Sequence, residues 1–326
     1  MPARSDRNPE AVGLLLSLAF IVLASVRDVY LGGLFQQVSP LAVAVTAFSL
    51  CTLAFLAIAL VRDRPGLVTL VRHRRRLGWV NATTALAWLS FFFALRAAEP
   101  ALVQILFFGV GPLSMTWIDR RVTAASPTPL APVERRLRLG LTVSLGFAAT
   151  VVVGGLSGLG AQPPGRAVLG VALALGGGLS IATSTLLCRT LNDAGVRPAT
   201  LLSLRFPGAV VLAAALAPMS GDDVLGSLTP GVAVASLLLI VLPNYVNQIG
   251  VALASPVTVR AVLALGPVVV FALQLLDGRL SSSPATLTAC GLYGLFAVAA
   301  AVARRRAIGT VTAGRGAPRA SSRCPC

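Results

Sequence analysis

The sequence predicts an all-α polytopic membrane protein with ten transmembrane helices, arranged as two inverted five-helix repeats. Three observations carry that prediction. Apolar runs recur along a 326-residue chain that is 56% hydrophobic and only 12% charged. Such runs, about 17–25 residues long, suit a hydrocarbon layer of ~30 Å. Arginine gathers in alternate connections between them, as membrane orientation requires. Two interrupted segments, "EPALVQILFFGVGP" and "SPVTVRAVLALGP", each opened by a proline and closed by Gly-Pro, stand in corresponding places of the two halves.

Taken in order, the expected spans cover residues 11–34, 41–61, 78–97, 100–118, 139–158, 167–188, 199–219, 231–252, 257–276 and 285–303. The opening "MPARSDRNPE" followed by "AVGLLLSLAFIVLASV" has the outline of a signal peptide, but nine further apolar segments make it a first span that stays in place. Residues 1–10 form a short cytoplasmic N-terminus, 11–158 the first repeat, 167–303 the second, and 304–326 a basic cytoplasmic tail without expected order. Threading from a cytoplasmic N-terminus puts 21 arginines in the inner loops and tail and only Arg166 and Arg279 in the outer loops. An even span count leaves both termini in the cytoplasm of a cell (plasma or inner) membrane. Five crossings per half force the halves into opposite orientations. "SPLAVAVTAF" (39–48) also resembles "RPATLLSLRF" (197–206), with Pro and Phe in register.

Composition excludes several functions. The net charge of +16 comes from arginine alone, spread over short loops with no aromatic-interleaved basic domain, so no nucleic-acid partner is expected. Without lysine there is no phosphate-binding P-loop. The single histidine, His73 in "RHRRR", and five scattered cysteines provide no metal site, disulfide framework or histidine-based triad. An enzyme is therefore not expected, nor a cofactor. Paired helix breaks in inverted repeats are instead the plan of secondary transporters, whose sites lie near the midplane between the halves.

The segment order, the "SP…F" start of the second span, "WLSFFFALRAAEPALVQILFFGVGP" and "ALASPVTVRAVLALGPVVVFALQLLDGRL" resemble EamA-type members of the drug/metabolite transporter superfamily over roughly residues 11–303. The resemblance implies a ten-helix basket with spans one, three, four, six, eight and nine around a central cavity. It departs from the family pattern at Ala47-Phe48, where Arg-Phe is usual, and at Asp119 and Asp277, where Glu often closes spans four and nine.

Polar groups inside a bilayer need a partner, an interface or a wet cavity. Asn244, Asn247 and Gln248 share one face of span eight, for solute contact or for interhelical hydrogen bonding. Asn81, Thr84, Trp88 and Phe92 form a stripe on span three, and Gln104, Phe108, Gly111 and Met115 one on span four, each either cavity wall or core. Arg260, the counterpart of Gln104, either contacts solute or snorkels to the surface. Arg205 reads as structural. Arg27 and Asp28, adjacent on span one, diverge by ~100° and are not expected to pair with each other. Asp28 is the one carboxylate well inside a span, and so either a proton carrier or a counter-ion. Gly111-Pro112 and Gly266-Pro267 are the expected bends, for gating or for packing alone.

The function expected is export of small metabolites, amino acids or related amphipathic compounds, by alternating access. Efflux of drugs or secondary metabolites is the alternative, and a non-transport membrane protein a third. The partners expected are a small-molecule solute, the lipid bilayer, protons if transport is coupled, and a second copy of the chain if it dimerises.

Overall fold

Proline starts most of the helices, because its missing N–H falls at a position where the helix has no use for one. The computed structural model describes residues 9–122, 132–253, 262–278 and 280–315. Its helices are α1 (Pro9–Leu34), α2 (Pro40–Arg62), α3 (Arg64–Arg72), α4 (Arg74–Ala97), α5 (Pro100–Val122), α6 (Pro132–Val153) and α7 (Pro164–Asp193). They continue with α8 (Pro198–Arg205), α9 (Pro207–Leu216), α10 (Pro230–Ser236), α11 (Leu242–Leu253), α12 (Gly266–Gln274) and α13 (Pro284–Arg315). No strand occurs among the described residues. Ser39 and Thr229 cap α2 and α10, accepting from the backbone N–H of Leu41 and Val232. After α6 and α7 the chain turns through Gly155 and Gly195 at φ 66° and 90°, where only glycine is unstrained.

Eight helical stretches are long and apolar enough to cross a membrane, and Pro100–Ser114 is a shorter apolar one. This is the architecture of a polytopic membrane protein. Each such stretch falls on an expected span. Two interruptions were not expected. Span seven divides at Phe206 because Pro207 has no N–H, and a π-helical turn at Leu237–Val241 divides span eight. The two Gly-Pro pairs also behave differently from each other. Pro112 lies within an unbroken α5, whereas Gly266-Pro267 begins α12 after a turn at 264–265.

The core is aromatic at its centre. Phe48 of α2 stacks on Phe206 at 4.9 Å and on Phe92 of α4 at 5.9 Å, with ring planes within 8° in both pairs. Phe35 and Trp88 close against Phe92 at 5.2 and 5.6 Å. Each such pair adds about 0.5–1.5 kcal/mol beyond its buried area.

The break at Phe206 is repaired from another helix. Asn81 of α4 donates from Nδ2 to the Leu204 carbonyl at 2.7 Å and accepts at Oδ1 from the Gly208 N–H at 2.8 Å. Those two groups would have bonded each other in an unbroken helix; the Asn81 carboxamide stands between them. Asn244, by contrast, donates to Ile240 O one turn back on its own chain, at 2.8 Å. Asn81→Leu is therefore expected to destabilise the detergent-solubilised protein by about 1–3 kcal/mol, since it strands two backbone groups. Asn244→Leu is expected to cost clearly less. Thermal unfolding of the two variants side by side checks the contrast.

Candidate functional site

Four helices bring charged and polar side chains together in the bundle interior. On α1, Arg27 donates from Nε to Asp28 Oδ1 at 2.6 Å, and on α5 Gln104 donates from Nε2 to Asp28 Oδ2 at 2.5 Å. All three side chains are buried, Asp28 completely. The Arg27 guanidinium lies 5.2 Å from the Trp88 ring and 5.7 Å from the Phe91 ring, both on α4. The fourth helix is α12: a Cβ at Gly266 would come within 2.8 Å of Gln104 Oε1, so glycine leaves the space the carboxamide occupies. The direct Arg27–Asp28 pair corrects the sequence-based expectation. The two Cα–Cβ bonds do diverge, but the three-carbon arginine stem curls back far enough for Nε to reach the neighbouring carboxylate.

This cluster has atoms left over. Gln104 Oε1 and Trp88 Nε1 are buried without a hydrogen-bond partner among the described residues, as is Ser25 Oγ one turn before Asp28. The Arg27 guanidinium lies against the two aromatic faces. An unmet buried polar group costs about 1–3 kcal/mol. One acceptor, one indole donor and a guanidinium edge, side by side against a carboxylate, form a set that a small polar molecule can satisfy.

Of the residues singled out in the sequence, Asp28, Trp88, Gln104 and Gly266 meet here. Phe92 is fully buried in the aromatic core, a support for Trp88 and not a free wall. Phe108 is half-buried and packs edge-on to Phe107 at 5.2 Å. Gly111 and Pro112 are half-buried within α5, and Pro267 is buried at the start of α12, its carbonyl accepting from Cys290 Sγ at 3.6 Å. Asn244 is held by its own helix and Asn247 is half-buried; no described contact ties either to the cluster. Arg260 lies outside the described residues, as do the side chains of Met115 and Gln248. Arg205 is buried on α8, donating to Thr84 Oγ1 at 3.2 Å and to Ser184 Oγ at 3.5 Å.

Two polar clusters join one end of the bundle. Asp222, in the connection before α10, accepts from Arg96 Nη1 and Nη2 at 2.9 and 3.2 Å and from Ser39 Oγ at 3.2 Å. Arg166 adds a bond from Nη2 to the Arg96 carbonyl at 2.5 Å. Beside these, Glu99 is completely buried and accepts from the Gly158 N–H at 2.7 Å, from Thr286 Oγ1 at 2.8 Å and from Gln274 Nε2. Sequence reasoning passed over Glu99 because it precedes Pro100 at a helix start, where a carboxylate reads as an ordinary surface residue.

No known family model matches the chain, and no curated protein matches it. Among solved structures, 14 chains match. One, described only as "Crystal structure of protein", superposes with a TM-score of 0.58 at 20% identity, over 92% of this chain and 98% of its own. At that identity the likeness establishes a shared fold alone.

The Gly266–Gln104 contact generates a test of the cluster's packing. Gly266→Ala and Gln104→Ala are each expected to lower stability, and the double variant to recover part of the loss, with a coupling of about 0.5–3 kcal/mol. A double-mutant cycle on thermal unfolding measures it. Strict additivity would mean that α12 does not press on Gln104.

Proposed function

We propose that this chain is a secondary transporter of the EamA type, exporting small amphipathic metabolites from the cytoplasm by alternating access. The observation that carries the reading is the buried Arg27–Asp28–Gln104–Trp88 cluster with its unmet Gln104 Oε1 and Trp88 Nε1. Ionisable side chains inside a membrane protein mark solute or ion pathways. A molecule with both a carboxylate and an ammonium group, such as an amino acid, suits the set. Its carboxylate would lie against the Arg27 edge and the indole N–H, and its ammonium against Gln104 Oε1 and Asp28. The Trp88 and Phe91 rings would take an apolar side chain.

Two further observations support the architecture. The rings of Phe48 and Phe206, in register between the two similar segments, stack face to face. Equivalent residues touch only near the axis that relates their repeats, so the stacking favours two halves related by a two-fold axis; their opposite orientation rests on the odd number of crossings expected in each half. The Arg96–Asp222 and Glu99 clusters join connections from the two halves at one end. In this reading that end faces outward and is shut, the arginine-rich connections face the cytoplasm, and the halves rock about the central cluster. Asp28 is the group placed to exchange a proton if transport is proton-coupled.

Trp88→Phe tests the site with little risk to the fold, because it removes an N–H that no described residue uses while keeping an aromatic ring. In liposomes, counterflow of labelled amino acids is expected to weaken by about 5–30-fold in apparent affinity, the worth of one buried hydrogen bond of ~1–2 kcal/mol. Thermal stability is expected to fall by only about 1–2 kcal/mol, because the smaller ring keeps part of the packing against Phe48, Phe91 and Phe92. Unaltered affinity in transporting protein would remove Trp88 from the site. Wild-type protein that moves neither amino acids nor drug-like cations would remove the transport reading.

A further inference from the structure

The 23-residue α2 carries the chain from Ser39, in the clasped end, to Arg62, about 34 Å away at helical rise. There the nine-residue α3 lies between two long helices. Its inner side is anchored: Leu70 is fully buried against Val80, Leu187, Leu191 and Leu201. Its other side is apolar yet uncovered, with Val68 54% and Val71 56% exposed. A groove of about 630 Å³ runs along it, lined by Leu67, Val68, Val71, Arg72 and Arg74.

Charge at the groove is all of one sign. Arg62, Arg64, Arg72, Arg74, Arg75 and Arg76 are exposed within fifteen residues of chain. The acid among them, Asp63, is turned inward and accepts from the Thr200 hydroxyl. His73 is engaged at Nδ1 with the Thr69 carbonyl at 2.9 Å. One turn beyond Arg75 and Arg76, Trp79 is 59% exposed, the side chain that settles at headgroup level.

We propose that this groove holds an anionic phospholipid of the adjoining leaflet, its phosphodiester against Arg72 and Arg74 and the upper part of an acyl chain along Val68 and Val71. Guanidinium groups bind phosphate oxygens in pairs, and clustered arginines at the end of a span attract anionic headgroups. A zwitterionic lipid brings its own cation into an arginine cluster and is disfavoured. Free phosphate leaves the valines uncovered. The inference is independent of which solute the central cluster takes.

Native mass spectrometry of the full-length protein tests it, with equimolar phosphatidylglycerol and phosphatidylcholine added in detergent. The wild type is expected to retain the anionic lipid about five-fold over the zwitterionic one. Arg72→Gln/Arg74→Gln/Arg75→Gln is expected to bring the ratio close to one, and Val68→Ser/Val71→Ser to lower bound phosphatidylglycerol several-fold. The substituted positions are exposed, and an unchanged melting temperature confirms that each variant is folded. Equal retention of both lipids by the wild type, or an undiminished preference in the triple arginine variant, overturns the proposal. Displacement of the lipid by millimolar inorganic phosphate overturns it too, because the groove would then be a simple anion site.

Discussion

A hydrocarbon layer contains no water to hydrogen-bond, so every backbone break and every polar side chain must be satisfied by the protein itself. The rest of the structure follows from how that requirement is met. Where Pro207 removes a donor from span seven, the Asn81 carboxamide from α4 takes the two stranded groups. Where Arg205 is buried, Thr84 and Ser184 accept from it. Where Glu99 is buried, a backbone N–H, a hydroxyl and a carboxamide surround it. Six buried side-chain polar atoms have no partner among the described residues, and those of Ser25, Trp88 and Gln104 lie beside the Arg27–Asp28 pair.

The energetics favour a functional reading of that pair. Burying two charges costs several kcal/mol per ion, and their attraction at close range repays it only when the remaining lone pairs are also bonded. Each Asp28 oxygen accepts one hydrogen bond and keeps a lone pair to spare, while the Arg27 guanidinium rests against two aromatic faces. A packed apolar substitute would serve stability as well. What it would not supply is a charged edge that a solute can complete.

Much of this was legible in the sequence because membrane spans announce themselves by length and by their arginine-rich boundaries. The spans, the Phe48–Phe206 register and the choice of Asp28, Trp88 and Gln104 as candidate residues follow from period, position and the rarity of polar residues in apolar runs; that these meet, with Gly266 beside them, does not. What stayed hidden depends on side-chain reach and on packing between distant segments. Helix geometry alone says that residues 27 and 28 diverge; only the bent arginine stem shows them paired. Likewise, the amide face of span eight suits solute contact or bonding to another helix, yet Asn244 donates to an i−4 carbonyl in the π-helical turn of its own chain. Nothing in "AEP" signals that Glu99 will be enclosed by three other segments.

The central claim is that the Arg27–Asp28 cluster is reached alternately from the two ends of the bundle, and thiol accessibility at Ser25→Cys tests it most directly. Ser25 is fully buried, its hydroxyl has no partner among the described residues, and it lies one turn from Asp28. In sealed vesicles of defined orientation, a membrane-impermeant thiol reagent is predicted to label this position slowly from either side, and transported solute to protect it. Adding Arg96→Gln opens the clasp with Asp222 and is predicted to speed labelling from that side by about five-fold, the worth of an ion pair of ~1 kcal/mol. Labelling from one side only, with no response to Arg96→Gln, would contradict alternating access to the cluster.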